Sequence, residues 1–301
     1  MATHEVWKLA GIEVEVKNLN KIFWPEHGYS KGDLLQYYRK LAPVILPYLR
    51  KRPLTLVMCP NGIATSCYFR RKLPSHAPDW MPRVYYNPKT RTGQVPLILV
   101  ENEAQLIWLA NQAAVEFHVW SSTTADLAHP NWLVLDLDPG EETPFEAVLK
   151  AALLVKKELA FFGLKSWPKT SGGRGLHVWL PLEPGRYSHA EARAWAKAFA
   201  ARLAEKSAGS IKLPHGATHR GQGVFIDYAQ NGYGRNNAAP YSLRAKPAAP
   251  ASTPLDWNEV AGGGFSPTDF NLQTVPKRVD RHGDLFRGLL EQGQRLPELA
   301  G

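Results

Sequence analysis

The 301-residue chain is predicted to adopt a mixed α+β fold, and three observations lead to this prediction. First, short apolar runs typical of strands alternate with helix-start signatures. Second, the apolar run at 133–140 carries two carboxylates at alternate positions and ends in a Pro-Gly breaker. Third, the sequence has no internal repeat or long low-complexity linker. One compact domain with two lobes is therefore predicted over 1–301, with an N-terminal strand and loop to about 30 and a C-terminal packing segment from about 246.

The composition favours a nucleic-acid partner. A net charge of +9 and a pI near 9.5 favour a polyanion, with nucleic acid ahead of a membrane surface. No apolar run approaches the roughly 18 residues that span a bilayer, and the N-terminus lacks a signal-peptide pattern. We therefore expect a cytoplasmic, nucleoid-associated protein. Cys59 and Cys67 lack the histidine spacing of a zinc site and are expected to be reduced thiols.

The elements of the first half follow from local patterns. Alternation predicts a strand over 6–16, followed by a loop over 17–29 that Phe23 and Trp24 anchor. Ser30 and Asp33 form a capping-box pattern, so a helix is predicted to begin at Lys31. Further strands are predicted over 54–59, 96–100 and 115–120, a helix over 104–114, and an exposed basic hairpin or loop over 83–94.

The second half reads in the same way. A threonine cap, a proline and a glutamate at 143–146 predict a helix that ends at Phe162, before Gly163. The order of acidic strand, helix and strand indicates a crossover unit. A second capping box, Ser188 with Glu191, predicts a helix to about 207. A strand over 224–228 and a short helix over 284–292 complete the chain.

The carboxylates in the apolar strands carry the strongest chemical signal. Asp136 and Asp138 share one strand face, roughly 6 to 7 Å apart, where they repel unless a cation lies between them. That spacing suits a divalent metal, and Asp227 in the later strand would supply the third carboxylate of a two-metal site. The alternative is structural, since aspartates are common at turns and strand ends.

Two other segments fit phosphate or sugar binding. The glycine-rich stretch at 170–179 contains Ser171 and Arg174, so its backbone N–H groups and side chains suit phosphate, although a plain hairpin is also consistent. His177 and Trp179 share a face of the strand that follows. His118 shares a face with Glu116 and Trp120 on a neighbouring strand, where a structural histidine is the alternative.

Basic residues gather near two N-terminal elements. Asn18, Lys21 and Lys31 lie at the start of the first predicted helix, whose free N–H groups would help to bind phosphate; a solvated basic surface is the alternative. Tyr68 and Phe69 stand beside a basic run, so they either stack on a nucleobase or are buried in the core.

Four motifs together resemble a known family. They are the Asp-Leu-Asp of 136–138, the Ser-Gly-Gly-Arg-Gly-Leu-His of 171–177, Asp227, and the Ala-Pro-Tyr-Ser-Leu-Arg of 239–244. The first three resemble the motifs of the archaeo-eukaryotic primase superfamily. Over about 18–244 the chain resembles more closely the polymerase domain of the bacterial DNA ligase D enzymes of non-homologous end joining. The resemblance implies a primase-polymerase fold with central, mostly antiparallel sheets flanked by helices, and two lobes around a catalytic cleft.

The resemblance also implies a role for each candidate residue. Asp136, Asp138 and Asp227 would hold two Mn²⁺ or Mg²⁺ ions, and Asn18, Lys21 and Lys31 would bind a downstream DNA 5′-phosphate. Phe69 would stack on the template, and the 83–94 loop would help to bring two ends together. The incoming nucleoside triphosphate would be held by His118, Ser171, Arg174, His177, Arg220, Gln230 and Arg244.

The implied function is a template-directed DNA/RNA polymerase that fills gaps and extends ends in double-strand break repair and prefers ribonucleotides. The implied partners are broken or gapped DNA and a Ku-like end-binding protein. The ligase and nuclease modules often fused to this domain are absent from the 301 residues, so the sequence is expected to be either an excised domain or a protein that works with a separate DNA ligase. Val57 and Met58 stand where some relatives have basic residues, so the resemblance does not extend to one set of template contacts. The alternatives are a stand-alone primase, which needs no downstream phosphate, and a non-catalytic end-bridging module, which needs none of the three aspartates.

Overall fold

A computed structural model describes residues 4–87, 93–214 and 221–299. These residues form two compact units, and the chain passes between them several times. The first unit comprises Met1–Trp120, Ala238–Ala251 and Phe270–Gly283, and the second comprises Ser121–Asn237, Ser252–Asp269 and Asp284–Gly301. The arrangement of the two units as one domain around a cleft stays a prediction.

Helices and strands alternate along the described residues. The α-helices are α1 Lys31–Leu49, α2 Glu103–Asn111, α3 Phe145–Phe161, α4 His189–Lys206, α5 Trp257–Gly262 and α6 Thr274–His282. Short 3-10 helices cover Pro25–His27, Tyr228–Asn231, Pro267–Asp269 and Arg287–Leu290. The strands are β1 His4–Leu9, β2 Ile12–Lys17, β3 Ile22–Trp24, β4 Tyr29–Ser30, β5 Leu54–Met58, β6 Tyr68–Arg70, β7 Tyr85–Tyr86, β8 Val95–Pro96, β9 Ala114–Trp120, β10 Trp132–Pro139, β11 Trp167–Thr170, β12 Leu176–Pro181, β13 Ile211–Lys212, β14 Val224–Asp227 and β15 Asn236–Ala238.

The first unit is built on a four-stranded sheet in the order β15-β9-β5-β6. Strand β5 pairs antiparallel with both β9 and β6, and β15 carries the chain back from the second unit into the first. Helix α1 packs against α2. It begins where the sequence predicts, because the Ser30 hydroxyl accepts from the Asp33 amide and the Asp33 carboxylate accepts from the Ser30 amide.

The second unit is built on a five-stranded sheet in the order β11-β12-β10-β14-β13. Its pairs are antiparallel except for β13 with β14. The central strand, β10, buries its leucines completely, and α3 and α4 pack against it. The predicted crossover is confirmed, because β10 and β11 both run antiparallel to β12 and are joined by α3. The predicted mixed, mostly antiparallel fold is thus the observed one.

Several local predictions are wrong. The strand predicted over 6–16 is a hairpin of β1 and β2, since Ala10 and Gly11 adopt positive φ values of 47° and 78° and turn the chain. The strand predicted over 96–100 shrinks to β8, and the helix predicted over 284–292 is a single 3-10 turn at Arg287–Leu290. Two short helices, α5 and α6, were not predicted.

Two further corrections concern single side chains. Thr143 does not cap α3; its hydroxyl instead exchanges hydrogen bonds with the backbone of Gly223, and Pro144 occupies the cap position. The cysteines are not free thiols, because Cys59 and Cys67 form a disulfide. The pairing follows from strand register: Met58 lies opposite Tyr68, so the residues that continue these strands face each other, with 4.5 Å between their Cα atoms.

Candidate active site

Four polar side chains form a row across the sheet of the second unit. Strand register places Lys169 opposite His177, His177 opposite Asp136, and Asp136 opposite Asp227. Directly opposed residues of antiparallel strands project from the same face, so the row crosses β11, β12, β10 and β14 on one side of the sheet. Asp138 lies two residues beyond Asp136 and shares that face. The structure therefore brings the three predicted metal ligands onto neighbouring positions.

The neighbours of each carboxylate differ. His177 Nε2 lies 3.1 Å from Asp136 Oδ1, and both residues are largely buried. Asp227 is oriented by the residues that follow it in the chain. Its Oδ1 accepts from the Ala229 amide at 2.8 Å, and its Oδ2 accepts from Gln230 Nε2 at 3.0 Å. Gln230, predicted to bind nucleotide, thus lies against the Asp227 carboxylate.

These residues fit a divalent cation by donor type and by register. Carboxylate oxygens are the ligands that Mg²⁺ and Mn²⁺ prefer, and three of them share one face of the sheet. Within residues 4–87, 93–214 and 221–299, no three His, Cys, Asp or Glu side chains converge closely enough to hold a metal ion in their present rotamers. Like charges on adjacent positions repel, so convergence of the three carboxylates requires the cation itself.

The glycine-rich stretch forms the turn between β11 and β12. The Ser171 hydroxyl accepts from the amides of Gly173 and Gly175 at 3.1 and 3.2 Å, which fixes the shape of the turn. The Arg174 guanidinium donates to the carbonyls of Pro139 and Gly140 at 2.8 and 3.1 Å. It therefore lies over the end of β10, the strand that carries Asp136 and Asp138. The hairpin is confirmed, and its Gly175 approaches the carboxylate strand closely: a Cβ added there would lie 3.0 Å from Asp138 Oδ1.

A second cluster belongs to the first unit. Glu116 joins two predicted nucleotide-binding residues: its Oε2 lies 2.7 Å from His118 Nε2 and accepts from Arg244 Nε at 2.7 Å. The Glu116 Oε1 accepts from the amide of Ala245 at 2.8 Å. The carboxylate thereby fixes the imidazole of His118 and the guanidinium of Arg244 relative to each other.

The charge state of Glu116 follows from these contacts. Burial opposes ionisation of this carboxyl, but the hydrogen bond with His118 and the positive charge of Arg244 outweigh it and lower the pKa of Glu116 to about 2. Glu116 is therefore an anion at neutral pH, flanked by the guanidinium of Arg244 and the imidazole of His118.

The predicted 5′-phosphate residues do come together in the first unit. Asn18 has a positive φ of 59°, and its carbonyl accepts from the Lys21 amide at 3.0 Å. The Lys31 amide donates to the Lys21 carbonyl at 2.7 Å, so the loop is bound directly to the start of α1. Lys21 Nζ donates to Pro60 O and Asn61 Oδ1 at 2.6 and 2.8 Å.

One part of that prediction is wrong, because the N-terminal amides of α1 are already used. Those of Lys31, Gly32 and Asp33 donate to Lys21 O, Leu19 O and Ser30 Oγ, respectively. Any phosphate site here must depend on side chains. Lys31 is buried and donates to Lys17 O at 2.6 Å; burial first, and then the charge of Lys21, lower its pKa to about 8.

Phe69 is an exposed aromatic on β6, with 65% of its surface accessible. Tyr68 is also exposed, and its hydroxyl accepts from Arg70 at 3.0 Å. Core burial of this pair is therefore excluded. Their strand partners, Val57 and Met58, are buried.

Some predicted features lie outside the described residues: Arg220, and positions 88–92 of the 83–94 loop. On either side of that gap, β7 and β8 pair antiparallel, as a hairpin requires.

One residue in each of the two clusters escaped the sequence analysis. Glu116 was noted only as a face neighbour of His118, although its alternation with a histidine was the available signal. Lys169 gave no signal, because its place beside His177 depends on the register of the β11–β12 hairpin.

Comparison with known proteins identifies the family. The profile described as the primase-polymerase domain of LigD matches residues 30–286. The chain belongs to this family. The multifunctional non-homologous end joining protein LigD of Mycolicibacterium smegmatis is 32% identical over 293 residues, covering 96% of this chain and 38% of that protein. The bifunctional LigD of Bacillus subtilis is 29% identical over 285 residues, covering 95% and 45%, respectively.

A solved structure agrees with these matches. The polymerase domain of Mycobacterium tuberculosis ligase D in complex with DNA superimposes with a TM-score of 0.85 at 30% identity, covering 93% of this chain and 99% of that one. The fold class and enzyme class predicted from sequence, a nucleotidyltransferase of the primase-polymerase type, are thereby confirmed. The chain spans less than half the length of the two LigD relatives. Among the described residues, every helix is too short or too polar to cross a lipid bilayer.

Proposed function

We propose that this chain extends a DNA 3′ end along a template at breaks and gaps, as a polymerase of non-homologous end joining. The observation that carries the proposal is the row in which Asp136 lies between His177 and Asp227, with Asp138 on the same face. Placing three carboxylates beside a histidine is unfavourable without cations, so such a row indicates metal-dependent chemistry.

Asp136, Asp138 and Asp227 would hold two divalent ions, Mn²⁺ or Mg²⁺. When bound, such ions lower the pKa of an attacking hydroxyl and neutralise the charge on a transferring phosphoryl group. Gln230 and the Ala229 amide fix Asp227 from one side, so this carboxylate is oriented before any cation arrives.

The basic side chains near the carboxylates would bind the triphosphate of the incoming nucleotide. Arg174 lies over the end of β10, and His177 lies against Asp136, so both can contact phosphate oxygens near the carboxylates. Arg220 would add a further positive charge. In the first unit, Glu116 fixes His118 and Arg244 in one arrangement, which suits contact with a ribose 2′-hydroxyl and a phosphate. A preference for ribonucleotides forms part of the proposal.

DNA would be recognised by the first unit. Lys21 and Lys31 supply positive charge to the 5′-phosphate at the far side of a gap, and the Asn18 turn places them side by side. Exposed Phe69 would stack on a template base. The proposed partners are a Ku-like end-binding protein, which would deliver the ends, and a DNA ligase activity, which would seal the product.

The test is primer extension across a short gap, with and without a downstream 5′-phosphate, using ribo- and deoxyribonucleotides with Mn²⁺. We expect extension that the 5′-phosphate stimulates and that Asp136→Asn abolishes. The matched control is Asp280→Asn, which removes the same charge from a surface ion pair with Lys40 and should leave extension unchanged. Extension that ignores the 5′-phosphate would favour a priming role. Tight DNA binding without extension would favour an end-bridging module.

A further inference from the structure

Lys169 lies at one end of the row of four polar side chains that crosses the sheet of the second unit. It is fully buried, with none of its surface exposed. It lies on β11, directly opposite His177. Burying an ammonium group costs several kcal/mol unless hydrogen bonds replace its water. Replacing a buried charged group by a well-packed apolar residue is often neutral or stabilising. The lysine therefore needs an explanation beyond packing.

The contacts of Lys169 Nζ show which neighbouring atoms accept its hydrogen bonds. Lys169 Nζ lies 2.9 Å from His177 Nδ1, and it also makes a short hydrogen bond with the Ser252 hydroxyl. The Ser252 hydroxyl donates its own proton to Thr170 O at 2.9 Å, so it can only accept from the lysine. An ammonium group has three donors and no acceptor, so His177 Nδ1 must also accept.

This determines where His177 carries its proton. A neutral imidazole that accepts at Nδ1 bears its hydrogen on Nε2. His177 Nε2 is the atom that lies 3.1 Å from Asp136 Oδ1. Without a donor at Nδ1, the ring could take the other tautomer and present a lone pair to the carboxylate, which would repel it. The geometry thus makes the interaction between His177 and Asp136 depend on Lys169.

We propose that Lys169 is a positioning residue: it holds His177 in the Nε2–H tautomer, and the histidine in turn orients the Asp136 carboxylate. The inference rests on the proposed function only in taking Asp136 as a metal ligand. Partners that orient a ligand from behind typically change metal affinity by 10- to 100-fold. Because Lys169 acts through one intervening ring, we expect an effect of about tenfold, the lower end of that range.

The first test is a ¹⁵N NMR measurement of the His177 ring in metal-free wild-type protein, with the signals assigned by comparison with His177→Gln. We expect a protonated Nε2 and an unprotonated, hydrogen-bonded Nδ1. In Lys169→Met, the two tautomers should both be populated. A wild-type spectrum with the proton on Nδ1 would overturn the proposal, and this holds even if Lys169→Met fails to fold.

The second test is Mn²⁺ titration monitored by electron paramagnetic resonance, without nucleotide or DNA. Lys169→Met and His177→Gln should each weaken Mn²⁺ binding by about tenfold, and the double variant should be no weaker than either one, because both changes break the same chain of contacts. Additive losses would show that Lys169 acts independently of His177 and would refute the proposal.

Ser252→Ala is the matched control, because it removes the other acceptor of the same ammonium group while leaving His177 in place. We expect an unchanged tautomer and less than a threefold loss of Mn²⁺ affinity. If Ser252→Ala weakens Mn²⁺ binding as much as Lys169→Met, a general structural role replaces the proposed one. Neither readout requires polymerisation. Failure to extend primers together with the Nε2–H tautomer would refute the proposed function but not the role of Lys169. Primer extension together with the Nδ1–H tautomer would refute only the role of Lys169.

Discussion

A methyl group added at Gly175 should disturb the carboxylate strand directly. A Cβ at this position would lie 2.4 Å from the carbonyl oxygen of Leu137 and 3.0 Å from Asp138 Oδ1. Carbon and oxygen atoms repel strongly well inside their optimal separation of about 3.5 Å, so one of the two strands must move. The first obstacle is a backbone oxygen of β10, which cannot swing away as a side chain can.

The size of the effect follows from this geometry. Overpacking of a fixed site costs about 1 to 3 kcal/mol, so Gly175→Ala should lower the free energy of unfolding by about 2 kcal/mol. Because Asp138 is one of the two nearest groups, we also expect primer extension to fall at least tenfold, equivalent to about 1.4 kcal/mol of activation free energy. Urea unfolding and single-turnover extension measure the two quantities separately.

Gly262→Ala is the matched control for this substitution. A Cβ at Gly262, in helix α5, meets no atom within 4 Å, so stability should change by less than about 0.5 kcal/mol and extension should not change. Wild-type stability and activity in Gly175→Ala would refute the close approach between the turn and β10, and with it the argument that this turn supports Asp138.

Three other predictions concern the first unit. Cys67→Ser should lower the free energy of unfolding by about 2.5 kcal/mol, because a disulfide between residues eight positions apart reduces the loop-closure entropy of the unfolded chain. A dithiol reductant should cause the same loss of stability in wild type and no further loss in the variant. An unchanged urea midpoint in Cys67→Ser would contradict the disulfide. Glu116→Gln should cost about 3 kcal/mol at neutral pH by leaving Arg244 and His118 without their anion. The pKa of Glu116 in the folded protein is about 2, below its ordinary 4.5, so the stabilisation by the Glu116 anion is complete above pH 4.5 and is lost as the pH falls through 2. The difference in urea stability between wild type and Glu116→Gln should therefore narrow in acid. A difference that stays constant would contradict the lowered pKa of Glu116. Stimulation by a 5′-phosphate should decline as the pH rises through 8, where Lys31 loses its charge, but not in Lys31→Arg; equal decline in both would exclude Lys31 as the phosphate ligand.

Local chemistry explains which elements could be predicted from the sequence. The starts of α1 and α4 were correct because Ser30 and Ser188 each form a reciprocal capping box, which depends only on residues three positions apart. The same reasoning failed at Thr143, whose hydroxyl is bound by Gly223, 80 positions along the chain. A cap is predictable only when no distant group competes for its side chain.

The candidate site shows the same division. The alternation of Asp136 and Asp138 could be read directly, because period two is a local property of a strand. The disulfide and the contact of Lys169 with His177 could not, since both depend on which residues of two paired strands lie opposite each other. Register is set by packing of the whole sheet, so the sequence alone does not predict which residues become partners across two strands.

The proposed function requires Asp136, Asp138 and Asp227 to bind the catalytic cations. Anomalous diffraction from crystals soaked with Mn²⁺ and a non-hydrolysable nucleoside triphosphate, for wild type and for Asp136→Asn, locates these cations. We predict anomalous peaks in direct contact with these carboxylates in wild type, and their loss in the variant. Peaks located elsewhere, or peaks that persist in Asp136→Asn, would contradict the account.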